Sequence, residues 1–102
     1  MDREYKTYDF YLITNICTNR HYVGVTTLGY ENRIYCHYHS NDDCELHVDM
    51  RNNPENFRHC LLKRVESKNK NAMLRLESYY IGLYNAYENG YNKNIGFVNN
   101  FS

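Results

Sequence analysis

Residues 8–26, YDFYLITNICTNRHYVGVT, contain two apolar runs separated by a short polar segment. The first run, residues 8–16, is rich in aromatic and branched side chains and predicts a β-strand. Residues 17–20, CTNR, have the composition of a turn, and residues 21–27 predict a second strand. This part of the chain therefore predicts an antiparallel β-hairpin.

Side chains alternate between the two faces of a strand, so the hairpin register predicts which residues share a face. With a turn of even length, we expect Tyr11 to lie opposite Thr26 and Asn15 to lie opposite Tyr22. Tyr11 and Tyr22 then occupy one face, about 13 Å apart at the usual strand rise. Gly24 between their rows leaves an open patch, although an ordinary aromatic cross-strand surface has the same pattern.

Downstream of the hairpin, residues 30–39 predict a short helix because apolar residues recur at helical spacing. Residues 40–56 are polar and acidic and contain Pro54, which predicts a loop. Residues 57–66, FRHCLLKRVE, fit either a strand or a short helix. The hairpin is thus followed by helical segments and by one further possible strand, an order that is typical of an α+β domain.

The clearest helix is predicted at residues 70–87. One apolar stripe is formed at three- and four-residue steps by Met73, Leu76, Tyr80, Leu83, Tyr84 and Tyr87. Gly90 suits the end of this helix. In the tail, apolar side chains are available to pack back at Phe97, Val98 and Phe101. We expect residues 1–102 to form one domain.

The composition limits the classes of function. The formal net charge is zero, whereas a nucleic-acid binder normally has a basic surface. Residues 57–102 carry seven basic and three acidic side chains, which supports DNA binding only in part. No long apolar run and no signal peptide are present, so we expect an intracellular protein with reduced cysteines. Fifteen asparagines against two alanines are typical of AT-rich genomes, such as those of some phages and large viruses.

Three charged or titratable side chains have suitable chemistry for a catalytic or metal-binding site, but local patterns alone leave their roles open. Arg33 and His37 are one helical turn apart and face the same way, as pairs on any surface helix do. Glu77 flanks the apolar stripe of its predicted helix, where a carboxylate requires a cation. That cation is either a basic side chain or a divalent metal ion.

Ordered motifs along the chain resemble those of the GIY-YIG nucleases. Residues 9–15, DFYLITN, resemble the segment that contains GIY, and residues 19–26, NRHYVGVT, resemble the segment that contains YIG. Tyr11 and Tyr22 take the places of the two motif tyrosines. The matching segments extend to residue 92 and so cover nearly the whole chain.

The other motif residues follow in the family's order. Arg33 and His37 resemble the arginine and the histidine of the family's first helix. Glu77 resembles its single metal-binding glutamate. Residues 90–92, Gly-Tyr-Asn, resemble the segment that closes the domain and supplies Asn92 to the site.

The resemblance implies a three-stranded antiparallel sheet with flanking helices, and it favours a strand at residues 57–66. It also implies an endonuclease that hydrolyses DNA with one Mg²⁺ or Mn²⁺ ion. The implied site residues are Tyr11, Tyr22, Arg33, His37, Glu77 and Asn92, with Glu77 as the metal ligand. No targeting domain is attached, so we expect the acidic loop, the tail, a homodimer or a partner protein to direct DNA choice.

In the implied mechanism, Tyr11 takes a proton from the attacking water and Arg33 neutralises charge that grows at phosphorus. Tyr22 orients the water or the phosphate, and Asn92 fixes the site through its amide. A free phenol with a pKa of about 10 is a poor base, so Tyr11 requires the metal, Arg33 or His37 nearby.

Two alternatives to a nuclease remain open. Asp9-Phe10 replaces the family's Gly-Ile, and a carboxylate there is expected to repel phosphate, so an inactive binding module on the same scaffold is one alternative. The other is a zinc module, because the chain repeats a Cys-x-x-His spacing. Its four ligands would be Cys36, His39, Cys44 and His47.

Overall fold

The computed structural model of the protein describes residues 4–95. Its three strands are β1 (Lys6–Asn15), β2 (Arg20–Thr26) and β3 (Phe57–Ser67). Its helices are α1 (Tyr30–His39), α2 (Glu45–Asn52) and α3 (Lys70–Leu83), with a 3₁₀ turn at Pro54–Asn56. The strands form one antiparallel sheet in the order β2-β1-β3. The α+β class, the three-stranded sheet and the flanking helices are thus confirmed. No helix in this range is long and apolar enough to cross a membrane.

The hairpin forms at the predicted place, but its register differs from the prediction by two residues. Tyr11 pairs with Gly24 rather than with Thr26. The turn is tight because Asn19 adopts a left-handed backbone conformation, with φ 61°. A shift of two residues leaves every side chain on its predicted face. It also brings the rings of Tyr11 and Tyr22 to a centroid distance of 6.3 Å, much closer than predicted.

The predicted loop at residues 40–56 is wrong, because this segment contains α2 and the 3₁₀ turn. Leu46 and Met50 lie four residues apart in α2 and are both buried in the core. The third buried position of this short helix is His47. Two core-facing apolar residues one turn apart, in an otherwise acidic segment, are too weak a pattern to predict a helix.

Helices cover both faces of the sheet. On one face, α1 and α2 pack over Tyr11 and Ile13 of β1. On the other face, α3 packs over Leu12 and Val23 through Ile81. A cleft beside the edge strand β2 is lined from both faces, by Cys44 just before α2 and by Glu77 of α3.

Helix α3 ends earlier than predicted. Asn85 follows the helix with φ 54°, and the amide of Ala86 donates to the carbonyl of Ile81 at 2.9 Å. These features define a Schellman-type stop with asparagine in the left-handed position. Leu83 and Tyr87 of the predicted apolar stripe are therefore exposed. The predicted packing of Phe97, Val98 and Phe101 lies outside the described residues.

Asp9, the departure from the family's first motif, is buried and is bound within the fold. Its carboxylate accepts hydrogen bonds from Nε and Nη2 of Arg64 at 2.6 and 2.9 Å. It also accepts one from the amide of Tyr30, the first residue of α1, at 2.9 Å. The Arg64 hydrogen bonds are the main cause that lowers the pKa of Asp9. The carboxylate thus joins α1 to β3, and its charge is neutralised locally.

We expect Asp9→Asn to lower the free energy of unfolding by about 1–2 kcal/mol, because the amide loses the ion pair with Arg64. The folded-state pKa of Asp9 is depressed, so its contribution is present at neutral pH. The contribution is lost as the pH falls below about 4 towards that depressed pKa. Urea unfolding between pH 3 and pH 7 measures both effects. The exposed Glu66→Gln on β3 is the control, and an equal loss in both variants would contradict this role.

Candidate active site

Tyr11 is almost fully buried in the middle of the sheet. Its ring lies within 6.3 Å, between centroids, of the rings of Tyr22, Tyr30 and His37. A β-bulge in β3 faces the step from Phe10 to Tyr11. Bulges are common beside active sites, where they redirect side chains.

Gly24 provides the space for the Tyr11 ring. A Cβ atom at position 24 would overlap the phenol carbons and the hydroxyl of Tyr11. We expect Gly24→Ala to displace this ring and to cost about 1–3 kcal/mol in the free energy of unfolding. Gly82→Ala in α3 is the matched control, because its Cβ meets nothing within 4 Å. The control should be stabilised by about 0.5–1 kcal/mol, and urea unfolding distinguishes the two outcomes.

A chain of hydrogen bonds connects Tyr11 to the surface. The hydroxyl of Tyr11 lies 2.8 Å from Nε2 of His37, and Nδ1 of His37 lies 2.7 Å from Nε2 of His47. Nδ1 of His47 then lies 2.8 Å from Oδ1 of Asp42. Both histidines are buried, whereas Asp42 is exposed.

The charge of Asp42 sets the direction of this chain. The hydrogen bond from His47 is the main cause that lowers the pKa of Asp42 to about 2, so this carboxylate is ionised and only accepts. When His47 is neutral, its Nδ1 donates to Asp42 and its Nε2 accepts from His37. Nε2 of His37 is then free to accept the proton of the Tyr11 hydroxyl.

The electrostatic environment of His37 keeps it neutral. Burial is the first cause that lowers the pKa of His37 to about 3, and repulsion from Arg33 and His47 adds to it. A neutral imidazole can accept the hydrogen bond from Tyr11, whereas an imidazolium cannot. His37 is therefore a buried, neutral and hydrogen-bonded residue of the site, unlike an ordinary surface histidine.

Arg33 and Glu77 both act on the phenols of buried Tyr11 and half-buried Tyr22. Burial is the main cause that raises the pKa values of Tyr11 and Tyr22. The guanidinium of Arg33 lowers both of these pKa values, and the carboxylate of Glu77 raises both. One cation and one anion from different layers are thus within electrostatic reach of the same pair of hydroxyls.

Glu77 lies at a cleft of about 340 Å³ beside the edge strand β2. The cleft is lined by Tyr22, Cys44, Glu77, Tyr91, Asn92, Lys93 and Asn94. The main chain after α3 runs along β2, where the amide of Tyr91 donates to the carbonyl of His21 at 2.9 Å. Asn92 accepts from the amide of Val23 at 2.8 Å and donates to its carbonyl at 2.9 Å. The side chain of Asn92 thus extends the sheet edge that carries Tyr22.

Gly90 is required for this close approach of two main chains. A Cβ atom at Gly90 would overlap the backbone carbonyls of His21 and Ala86. The residue was predicted to end α3, but the helix ends several residues earlier. Its physical role is to let the segment that carries Asn92 lie against β2.

The donor chemistry of Glu77 fits a divalent metal ion. Its carboxylate is half-buried, and burial raises its pKa. Within residues 4–95 it has no hydrogen bond or salt bridge. A partly desolvated carboxylate without a partner favours a cation, and carboxylate oxygen is a preferred ligand of Mg²⁺ and Mn²⁺.

The four ligands of the zinc site that the sequence left open as an alternative do not come together among the described residues. Cys36 and His39 lie on the exposed surface of α1, where the ring of His39 stacks on Tyr35 at 3.9 Å. Cys44 and His47 instead lie together with Asp42, and one ligand atom of each is within 4.8 Å of the others. None of the four cysteines forms a disulfide in the structure.

The structure brings the six predicted site residues to one region beside β2. It also adds two residues that the sequence reasoning assigned to no nuclease site, Asp42 and His47, which lie in the segment predicted as a loop. The repeated Cys-x-x-His spacing indicated His47 only as a possible zinc ligand. No local pattern in the sequence predicts its contact with His37.

Comparisons with known proteins agree with this architecture. The model of the GIY-YIG catalytic domain matches residues 7–92. A solved structure, a mutant of the catalytic domain of intron endonuclease I-TevI, has a similar fold, with a TM-score of 0.71 and 21% sequence identity. The similarity covers 86% of this chain and 94% of that one. No curated protein matches the chain. Because the family match covers well over half of the chain and includes all three helices and Glu77, the chain belongs to the GIY-YIG family of nuclease domains.

Proposed function

We propose that this protein is an endonuclease that hydrolyses DNA phosphodiester bonds with one Mg²⁺ or Mn²⁺ ion. The observation that carries the proposal is that Arg33 and Glu77, which has no hydrogen bond or salt bridge within residues 4–95, both act on the phenols of Tyr11 and Tyr22. A cation, an anion that favours a metal ion, and a candidate base are the groups that phosphodiester hydrolysis requires. The adjoining cleft of about 340 Å³ has room for a phosphate group.

In this proposal, Glu77 holds the metal ion at the cleft next to Tyr22. The bound ion supplies positive charge to the phosphate and to the leaving oxygen. A single carboxylate corresponds to a one-metal site, since no other acidic residue lines this cleft among residues 4–95. Tyr22 orients the phosphate or the attacking water.

Arg33 neutralises the negative charge that grows on the phosphate in the transition state. Its guanidinium presents planar donors that match two phosphate oxygens. The side chain extends from α1 towards the pair of phenols, as its effect on their pKa values indicates. Asn92 is a positioning residue, because its amide holds the backbone of Val23 and thereby positions Tyr22.

Tyr11 is the proposed base, and its own proton has a defined acceptor. Nε2 of His37 lies 2.8 Å from the Tyr11 hydroxyl and accepts the proton as the phenol takes one from water. The low pKa of His37 makes it a weak base while the site is empty of substrate. A bound phosphate adds negative charge, which raises the pKa of a nearby imidazole and favours this transfer.

A second candidate function is DNA binding without cleavage. Burial raises the pKa of Tyr11, and a phenol with a raised pKa is a poorer base. The zero net charge points in the same direction, because tight DNA binding normally uses a basic surface. A homodimer or a partner protein would then supply both DNA choice and affinity.

A cleavage assay separates the two functions. The full chain is incubated with linear, nicked, flapped and four-way-junction DNA in Mg²⁺ or Mn²⁺. We expect strand cleavage of at least one substrate and complete loss of cleavage in excess chelator. DNA that is bound in gel-shift assays but stays intact in both metals would instead support the binding module.

A further inference from the structure

We propose that Asp42, Cys44 and His47 form a second metal site, beside the one proposed at Glu77, for a borderline divalent ion such as Zn²⁺. Asp42 and Cys44 lie in the turn before α2, and His47 lies in its first turn. One ligand atom from each residue is within 4.8 Å of the other two. Zinc accepts a mixed set of sulfur, nitrogen and oxygen, whereas Mg²⁺ requires oxygen ligands.

Small movements would bring the three ligand atoms to zinc geometry. Nδ1 of His47 and Oδ1 of Asp42 are 2.8 Å apart. Zn–N and Zn–O bonds of about 2.0–2.2 Å set two tetrahedral ligands roughly 3.3 Å apart. Ion binding therefore replaces the proton between these atoms and widens the gap by about half an ångström. The half-buried thiol of Cys44 would release its proton to solvent and bind the ion as a thiolate.

Contacts that do not involve the three ligand side chains hold both ends of this turn, and within it the amide of Cys44 donates to Oδ1 of Asp42 at 3.2 Å. Nη1 of Arg51 donates to the carbonyls of Ser40 and Asp42 at 2.7 and 2.9 Å. At the other end of the turn, the amide of Val48 donates to the carbonyl of Cys44 at 2.9 Å. The backbone that presents the ligands is thus ordered before any ion binds, which lowers the entropic cost of binding.

His47 also has the outer hydrogen bond that metal-bound histidines nearly always make. Its Nε2 lies 2.7 Å from Nδ1 of His37, which fixes the orientation of the ring. With the ion on Nδ1, His47 carries its proton on Nε2 and donates to His37. His37 then donates from its own Nε2 to Tyr11, which reverses the direction of the hydrogen-bond chain. Occupancy of the second site is in this way linked to the hydrogen bond on Tyr11.

Cobalt titration tests the site without measuring DNA cleavage. Co²⁺ bound to a thiolate absorbs strongly in the near ultraviolet, whereas Co²⁺ bound only to oxygen and nitrogen does not. With reduced, metal-free full chain, we expect this absorption to saturate at about one ion per chain and to be displaced by Zn²⁺. It should be lost in Cys44→Ser and retained in Cys36→Ser and in Glu77→Gln. No such absorption, or absorption that survives Cys44→Ser, would refute the site.

A second measurement uses the unaltered protein, so it does not depend on how the variants fold. The alkylation rate of each cysteine is followed by peptide mass spectrometry with and without Zn²⁺. At a Zn²⁺ concentration ten times the Kd, we expect about tenfold slower alkylation of Cys44. The exposed cysteines are internal references: Cys17, Cys36 and Cys60. An unchanged rate at Cys44 under saturating Zn²⁺, or equal protection of Cys36, would overturn the proposal. Neither result depends on whether the protein cleaves DNA.

Discussion

Replacing Glu77 with glutamine is expected to reduce metal-dependent DNA cleavage by about three orders of magnitude or more. Such a loss corresponds to roughly 4 kcal/mol of transition-state stabilisation, which is in the range that a catalytic metal ion supplies. Glutamine keeps the shape of the side chain but removes the charge that favours the cation. Single-turnover cleavage at several Mg²⁺ concentrations measures the effect. Excess Mg²⁺ should restore part of the activity, because a higher metal concentration compensates for a weaker ligand.

The same substitution should leave the fold at least as stable as that of the parent. Burial raises the folded-state pKa of Glu77, so stability is lost as the pH rises through that pKa. At neutral pH the carboxylate is therefore a cost to the fold, and glutamine removes this cost. We expect the urea midpoint at pH 7 to be unchanged or higher, and Mg²⁺ to raise the Tm of the parent only. A destabilised Glu77→Gln would indicate that the carboxylate has a structural partner.

Glu66→Gln is the matched control for both measurements, because Glu66 is an exposed acid on β3. It should cleave like the parent and respond to Mg²⁺ in the same way. If Glu77→Gln folds, cleaves at the parent rate and keeps its response to Mg²⁺, the proposed metal ligand is wrong. Loss of activity in both variants would instead indicate a general effect of acidic charge on DNA binding.

The faces of the hairpin are predictable from the sequence, but the register is not. Side chains alternate with a period of two, so an error of two residues still leaves Tyr11 and Tyr22 on one face. Their distance depends on the register, and the register depends on the turn. Asparagine tolerates the left-handed conformation that Asn19 adopts, but its presence does not require that conformation.

The hydrogen-bond chain from Tyr11 to Asp42 shows a second limit of prediction from sequence, which is that contacts between distant segments leave no local pattern. Arg33 and His37 share one face of α1, so their common direction follows from helical spacing. His47 reaches His37 only because α2 packs beside α1, and this long-range packing has no local pattern. The role of Asp9 has the same origin, since its partner Arg64 lies 55 residues away in β3. The sequence alone predicts that the Asp9 carboxylate repels phosphate, whereas in the fold Arg64 neutralises its charge.

Tyr11→Phe is expected to reduce cleavage by about 10²–10⁴-fold, the usual contribution of a general base. Phenylalanine retains the ring that packs against Tyr22 and His37 and removes only the hydroxyl. Nε2 of His37 then loses its buried partner, which should cost about 1–3 kcal/mol in the free energy of unfolding. Cleavage is therefore compared at a temperature at which urea unfolding shows both proteins to be folded.

Tyr30→Phe separates loss of the base from disturbance of the aromatic cluster. The ring of Tyr30 lies 6.0 Å from that of Tyr11, but its hydroxyl bonds to His59 and is outside the chain that ends at Asp42. We expect Tyr30→Phe to cleave within about threefold of the parent, since no proton transfer passes through it. If a folded Tyr11→Phe cleaves as fast as Tyr30→Phe, the base lies elsewhere. The hydrogen bond from Tyr11 to His37 would then serve the stability of the pocket, because a buried imidazole nitrogen requires a partner whether or not chemistry occurs there.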